Sequence, residues 1–166
     1  MIYLVIGGIC LVVLIIGIAY LLQGPPYVQL RDKPAEDMLK LISHHNPQRI
    51  LEMGSGDGKL AILLAQQGYQ VDGIELNPWL VYKSRQAVKK ARLDKKVTIR
   101  WGDFWKLDVS QYDMVTIYLT QHIMPRLEMK LVQELKPGSL VVSHYFTFPH
   151  IKPIRKIGDA KLYEID

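Results

Sequence analysis

The stretch Leu51-Glu-Met-Gly-Ser-Gly-Asp-Gly58 is the part of the chain best suited to chemistry. Gly54, Gly56 and Gly58 let the backbone turn tightly and approach a ligand more closely than any Cβ allows. Their spacing, G-x-G-x-G, differs from the dinucleotide pattern G-x-G-x-x-G, in which a helix N-terminus faces a pyrophosphate. Glu52 and Asp57 place acid beside the loop, which suits a ligand that carries positive charge rather than phosphate. Glu75 follows about 20 residues beyond the glycines, the distance at which a carboxylate receives two ribose hydroxyls. In Gly102-Asp-Phe-Trp105, Asp103 can accept an adenine amino group while Phe104 or Trp105 packs on the ring.

Each feature has a plain structural alternative. Glycine-rich turns are common, Glu75 can be a solvated strand-end acid, and residues 102–105 can be an ordinary turn with core aromatics. Acids at successive strand ends, in the order that an adenosyl cation requires them, form a stronger signal than any one alone. The ligand with ribose, adenine, a sulfonium and an amino group is S-adenosyl-L-methionine. The cofactor-binding set is then Glu52, Gly54, Ser55, Gly56, Gly58, Glu75, Leu76, Asp103 and Phe104. Transfer chemistry is expected after the fourth strand, at Tyr118-Leu-Thr-Gln-His122, with Tyr118, Thr120 and Gln121 lining a methyl channel. His122 is a lone histidine, more often structural than catalytic. The Asn-Pro-Pro-aromatic motif of amide and adenine methylation is missing there, and Asn77-Pro78 reads as a helix cap.

These residues need strands and helices in alternation. Helical spacing begins at Pro34 and runs to His45, with Met38, Leu41 and Ile42 on one face. Strands are expected at Arg49–Met53, Gln70–Glu75, Val97–Trp101, Met114–Leu119, Ser139–Tyr145 and Lys161–Ile165. Helices fall at Lys59–Gln67, from Pro78 to about Leu93, and from Pro125 to Leu135, where Pro137-Gly138 stops the last one. Such alternation predicts an α/β domain with a parallel sheet covered on both faces; with S-adenosylmethionine as the ligand of its glycine loop, the expected fold is Rossmann-like class I methyltransferase in a small version.

With 166 residues there is room for one compact domain and a membrane span. Residues 1–22 contain no charge and are long enough to cross a bilayer, and they lack the marks of a cleaved signal. The expected organisation is an anchor over 1–22, a stiff linker over 23–33 and the methyltransferase domain over 34–166. The bilayer is then a partner through the N-terminal helix. The first charges beyond the span are Arg31, Asp32 and Lys33, which predicts a single-pass membrane protein with its domain on the cytoplasmic or matrix side. Cys10, the single cysteine, lies in the apolar segment, so the domain has no disulfide or cysteine-based zinc site and no metal is expected. Net charge is +5, with basic residues crowded between Lys83 and Arg100. No aromatics interleave with them to stack bases, so they read as a solvated helix face, and no nucleic-acid partner is expected.

Taken together, G-S-G-D-G from Gly54, E-L-N-P-W-L-V from Glu75 with Ser84-Arg85 after it, D-F-W from Asp103, Gln121, and F-P-H from Phe148 resemble one family. It is the group of membrane-anchored lysine methyltransferases whose mitochondrial members modify the ATP synthase c-subunit and the adenine nucleotide translocase. The resemblance implies an S-adenosylmethionine-dependent enzyme acting on lysine of a membrane-associated protein, with Glu52, Gly54, Gly56, Glu75 and Asp103 on the cofactor. This chain departs from the pattern in having Glu52 where Asp is frequent, and Val28-Gln-Leu30 without a small hydroxyl residue. The lack of an arginine-rich presequence implies a bacterial-type member. The rival expectations are methylation of a small membrane-soluble molecule, such as a quinone or lipid precursor, and a non-catalytic cofactor-binding module.

Overall fold

The computed structural model describes residues 6–12, 14 and 27–166. In chain order the elements are α1 (Asp32–Ile42), β1 (Arg49–Met53), α2 (Lys59–Gln66), β2 (Gln70–Glu75), α3 (Pro78–Lys90), β3 (Val97–Trp101), β4 (Met114–Ile117), α4 (Met124–Glu134), β5 (Leu140–His144), β6 (Arg155–Ile157) and β7 (Ala160–Glu164). The strands form one seven-stranded sheet in the order β3-β2-β1-β4-β5-β7-β6. Strands β1 to β5 run parallel, and β7 is antiparallel to both β5 and β6.

Successive residues of a strand point to opposite faces of the sheet. Ile50, Met114, Val142 and Leu162 enter a core with Met38, Leu41, Leu60, Leu64 and Val88, beneath α1, α2 and α3. Their neighbours Leu51, Val115, Val141 and Tyr163 enter a second core with Leu127, Leu131 and Leu135 of the α4 segment. The central strands are therefore mostly apolar, as strands covered on both faces must be. Among the buried polar residues they carry, Asp72 of β2 is tied into an ion cluster. It accepts from Arg49 Nη2 at 2.6 Å and Nε at 3.0 Å and from the Tyr112 hydroxyl at 2.9 Å, with Arg100 Nη2 at 3.5 Å. Burial, then the neighbouring carboxylate, pushes the Tyr112 pKa up to about 12.

Four expectations change. Strand β4 stops at Ile117 rather than Leu119, which releases Tyr118, Leu119 and Thr120 from the ladder. Helix α1 starts at Asp32, because proline is tolerated in a first turn. Strand β6 was not expected; its residues are exposed or half-buried and carry no apolar alternation to betray it. The expected single-pass membrane placement is corrected outright: among the described residues no helix is long and apolar enough to cross a membrane. Apart from residues 6–12 and 14, the anchor expected over 1–22 lies outside the described residues.

Candidate functional site

The strand order reverses between β1 and β4, where an open parallel sheet leaves a crevice at its carboxyl edge. A cleft of about 580 Å³ opens there. The loop after β1 is pinned to β2, since the Gly54 and Ser55 amides both donate to the Ile74 carbonyl, at 2.9 and 3.1 Å. Gly54 and Gly56 hold φ of +72° and +54°. A Cβ on Gly54 would stand 2.8 Å from Leu119 Cδ2, and one on Gly56 would stand 2.6 Å from Tyr27 Cε2. Both positions thus need glycine for conformation and for room.

Glu75, at the end of β2, is fixed through both oxygens. Oε2 accepts the Gly56 amide at 2.9 Å and Oε1 accepts the Asn77 amide at 2.8 Å. Asn77 in turn caps α3, its Oδ1 accepting from the Trp79 amide at 2.9 Å. Glu52 is buried beneath the loop, and its Oε2 has no hydrogen-bond partner among the described residues. Burial, with Asp57 and Glu75 adding to it, holds its pKa well above the usual carboxylate range. Ser55 Oγ and Thr120 Oγ1, on the same cleft, are buried without partners too. Buried polar atoms left unpaired are expensive, so this trio is suited to a ligand that supplies donors.

Sequence reasoning missed one wall of the cleft. Tyr27, Val28 and Leu30, expected as linker, lie along it. Lys59 Nζ fastens this segment, donating to the Leu30 carbonyl at 3.0 Å and to Asp32 Oδ1 at 2.7 Å. Tyr27 packs on Gly56, and burial, with Asp57 nearby, raises its pKa. Val28-Gln-Leu30 stood out only as a departure from the family pattern at a segment expected near the methionine moiety, and Tyr27 carried no motif. Also missed were Tyr145 and Phe146 after β5, which sit in an aromatic run that reads as core.

Of the expected residues, Glu52, Gly54, Ser55, Gly56, Glu75, Leu76, Phe104, Tyr118 and Thr120 come together on this one cleft. Gly58, Asp103 and Gln121 do not line it. Gly58 packs against Ser84 of α3. Asp103 caps a short 3₁₀ turn, accepting from the Trp105 amide at 3.0 Å. Gln121 exchanges two 3.3 Å hydrogen bonds with the backbone of Thr147, joining the loops after β4 and β5. His122 is exposed. The F-P-H motif is structural: buried Glu128 accepts from the His150 and Ile151 amides, at 2.9 and 2.6 Å.

Residues 52–155 match the family model described as the ANTKMT methyltransferase domain. The chain belongs to this family. It is 32% identical over 161 residues to the ATP synthase c-subunit lysine N-methyltransferase of Mus musculus, covering 94% of this chain and 65% of that protein. The chain thus spans just under two thirds of that relative's length. It is 31% identical over 142 residues to a protein-lysine N-methyltransferase of Saccharolobus islandicus, covering 82% of this chain and 88% of that protein. A solved structure from Salinibacter ruber, described as an RNA methyltransferase in complex with S-adenosyl-L-homocysteine, superposes with a TM-score of 0.76. That likeness has 32% identity and covers 83% of this chain and 92% of the other. The ANTKMT methyltransferase domain here therefore has the class I, Rossmann-like methyltransferase fold, built on a seven-stranded sheet.

Proposed function

We propose that this chain is an S-adenosylmethionine-dependent protein-lysine N-methyltransferase, with the cofactor along the ends of β1 to β3 and the acceptor amine entering at the ends of β4 and β5. The observation that carries this reading is a single cleft joining Glu52 and Glu75 to Tyr118 and Thr120. The archaeal relative supports the acceptor class, since it is a protein-lysine methyltransferase of which this chain covers 88%.

The residues fit the cofactor. Glu75 keeps oxygen lone pairs for two ribose hydroxyls after accepting two backbone amides. Glu52 Oε2, buried and unpartnered, answers a cationic amino group, which would draw the carboxyl into its ionised form. Leu76 and Phe104 offer apolar contact to the adenine, and Gly54 and Gly56 leave space for the methionine portion. When bound, S-adenosylmethionine supplies an electrophilic methyl on its sulfonium. Free lysine has a pKa near 10.4, so the channel must favour the neutral amine. Leu119 and Thr120, uncharged, disfavour the ammonium by desolvation at the point of attack, and Tyr118 beside them aligns the amine for in-line attack.

A second acceptor class is favoured by one observation, the RNA methyltransferase description of the Salinibacter ruber structure. Exposed Trp79, Tyr82 and Trp101 beside the basic residues of α3 and β3 would suit it. Methyl-labelled S-adenosylmethionine, incubated with the chain and a cell extract, separates the readings. Label in protein, recovered as methyl-lysine, supports the proposal. Label in RNA, in the organic phase or in nothing overturns it.

A further inference from the structure

Tyr145 stands one residue past β5 with φ of +74°. Backbone of that kind suits glycine, and a bulky side chain there is strained. The other non-glycine residue with positive φ among those described is Arg92, just past the end of α3, where such a conformation is an ordinary helix ending. Tyr145 has no such excuse, and its side chain is not core either, being 63% exposed.

The strain is held in place from the neighbouring strand. The Tyr145 amide donates to the Asp159 carbonyl at 3.0 Å. Its carbonyl accepts Lys161 Nζ at 2.9 Å, and the same ammonium donates to the Asp159 carbonyl at 3.0 Å. Lys161 is only 9% exposed, and β5 pairs with β7 so that Ser143 faces it in register. A buried lysine committed to two backbone carbonyls is a demanding brace, because its charge has left water. What it braces is an aromatic ring on the wall of the cleft.

Tyr118 and Phe146 line the same cleft. The Tyr145 ring lies 5.7 Å from that of Phe146 and 5.8 Å from that of His144, which lies 5.6 Å from Tyr118. His144 is buried, and burial lowers its pKa, so it adds a neutral ring to the row. Aromatic faces attract alkylammonium ions, and methylated ones fit them best.

We infer that Tyr145, held by Lys161, forms with Tyr118 and Phe146 an aromatic wall that retains the methylated lysine side chain between successive methyl transfers. The inference rests on the protein-lysine reading and deepens it. Attack of the neutral amine forms the new C–N bond as the methyl leaves sulfur, so the product is a methylammonium cation that must give a proton to solvent before it can attack again. A wall that holds this head group while the proton leaves and S-adenosylhomocysteine is exchanged for S-adenosylmethionine lets a second and third methyl be added before release.

The test uses the full chain, methyl-labelled S-adenosylmethionine and a protein extract from cells lacking the enzyme, with acid hydrolysis separating mono-, di- and trimethyl-lysine. Wild type should yield di- and trimethyl-lysine. Tyr145→Gly, which removes both ring and strain, should raise the share of monomethyl-lysine about five- to tenfold. Its thermal midpoint should be equal or higher, and its affinity for S-adenosylhomocysteine unchanged. Tyr145→Phe should keep the wild-type pattern. An unchanged methyl distribution in Tyr145→Gly, a wild type that makes only monomethyl-lysine, or loss of folding or cofactor affinity in Tyr145→Gly would each overturn the inference while leaving the lysine reading standing. No methyl-lysine with wild type would sink both.

Discussion

Replacing Glu75 with alanine removes one carboxylate that the ligand and the protein share. Hydrogen bonds to a charged group are each worth about 1.5–3 kcal/mol, so losing two ribose hydroxyl contacts should cost roughly 3–6 kcal/mol of binding. At about 1.4 kcal/mol per decade, the dissociation constant for S-adenosylhomocysteine should rise roughly 10²- to 10⁴-fold. The same oxygens hold the Gly56 and Asn77 amides, at 2.9 and 2.8 Å, so the variant also loosens the glycine loop and the cap of α3. Its ligand-free thermal midpoint should fall by a few degrees, roughly the effect of about 1 kcal/mol in a domain of this size. Glu75→Gln separates the two effects. The amide keeps the shape but must turn its NH₂ toward one of two backbone donors, so an intermediate loss of affinity is expected. Isothermal titration calorimetry gives the affinities and thermal melts give the folding. A folded Glu75→Ala variant that binds within about threefold of wild type would refute the ribose role.

The raised Glu52 pKa has a sign that melts can check. A carboxyl that stays protonated in the ligand-free fold contributes stability fully below its unfolded-state pKa, and that contribution is lost as pH rises through the folded value. The ligand-free midpoint should therefore fall as pH climbs above the ordinary carboxylate range. Glu52→Gln should flatten that fall while weakening cofactor binding, and an unchanged pH slope in the variant would contradict the assignment. Cofactor binding should also release protons, read as a binding enthalpy that varies with buffer ionisation enthalpy in wild type and not in Glu52→Gln. Asp72→Asn leaves Arg49 and Arg100 without their shared carboxylate. Because both arginines reach solvent, the loss should be about 2–3 kcal/mol in a urea titration, below the roughly 3–5 of a fully buried pair. Cofactor affinity should be untouched, and an unchanged urea midpoint would show the cluster to be idle.

The parallel part of the sheet was legible because Ile50, Leu51, Val71, Met114, Val115, Val141 and Val142 form apolar runs bounded by glycine, proline and charge. The β1 loop and Glu75 stood out because a glycine-rich turn followed by acids at successive strand ends is a stronger signal together than any one feature alone. Strand β6 was not, since Arg155-Lys-Ile157 gains its place only by pairing with β7 across the turn at Gly158. Asp103 was expected as a strand-end acid facing the ligand; its Oδ1 caps the turn that follows, and it does not line the cleft. Gln121 was assigned to the channel from its position after β4, yet its amide finds the Thr147 backbone. Tyr27 and Tyr145 reach the cleft through tertiary contacts that no local pattern encodes, Lys59 holding the segment after Tyr27 at the Leu30 carbonyl and Lys161 holding the Tyr145 carbonyl. The apolar N-terminal run fits a span by composition, but no helix among the described residues is long and apolar enough to cross a membrane.

The most direct measurement of the central claim is a crystal structure of the chain with S-adenosylhomocysteine. The ribose hydroxyls should lie within hydrogen-bond reach of Glu75, the amino group beside Glu52, and the sulfur should face the opening between Tyr118 and Tyr145. A ligand bound away from the carboxyl edge, or one whose sulfur points toward β3, would contradict it.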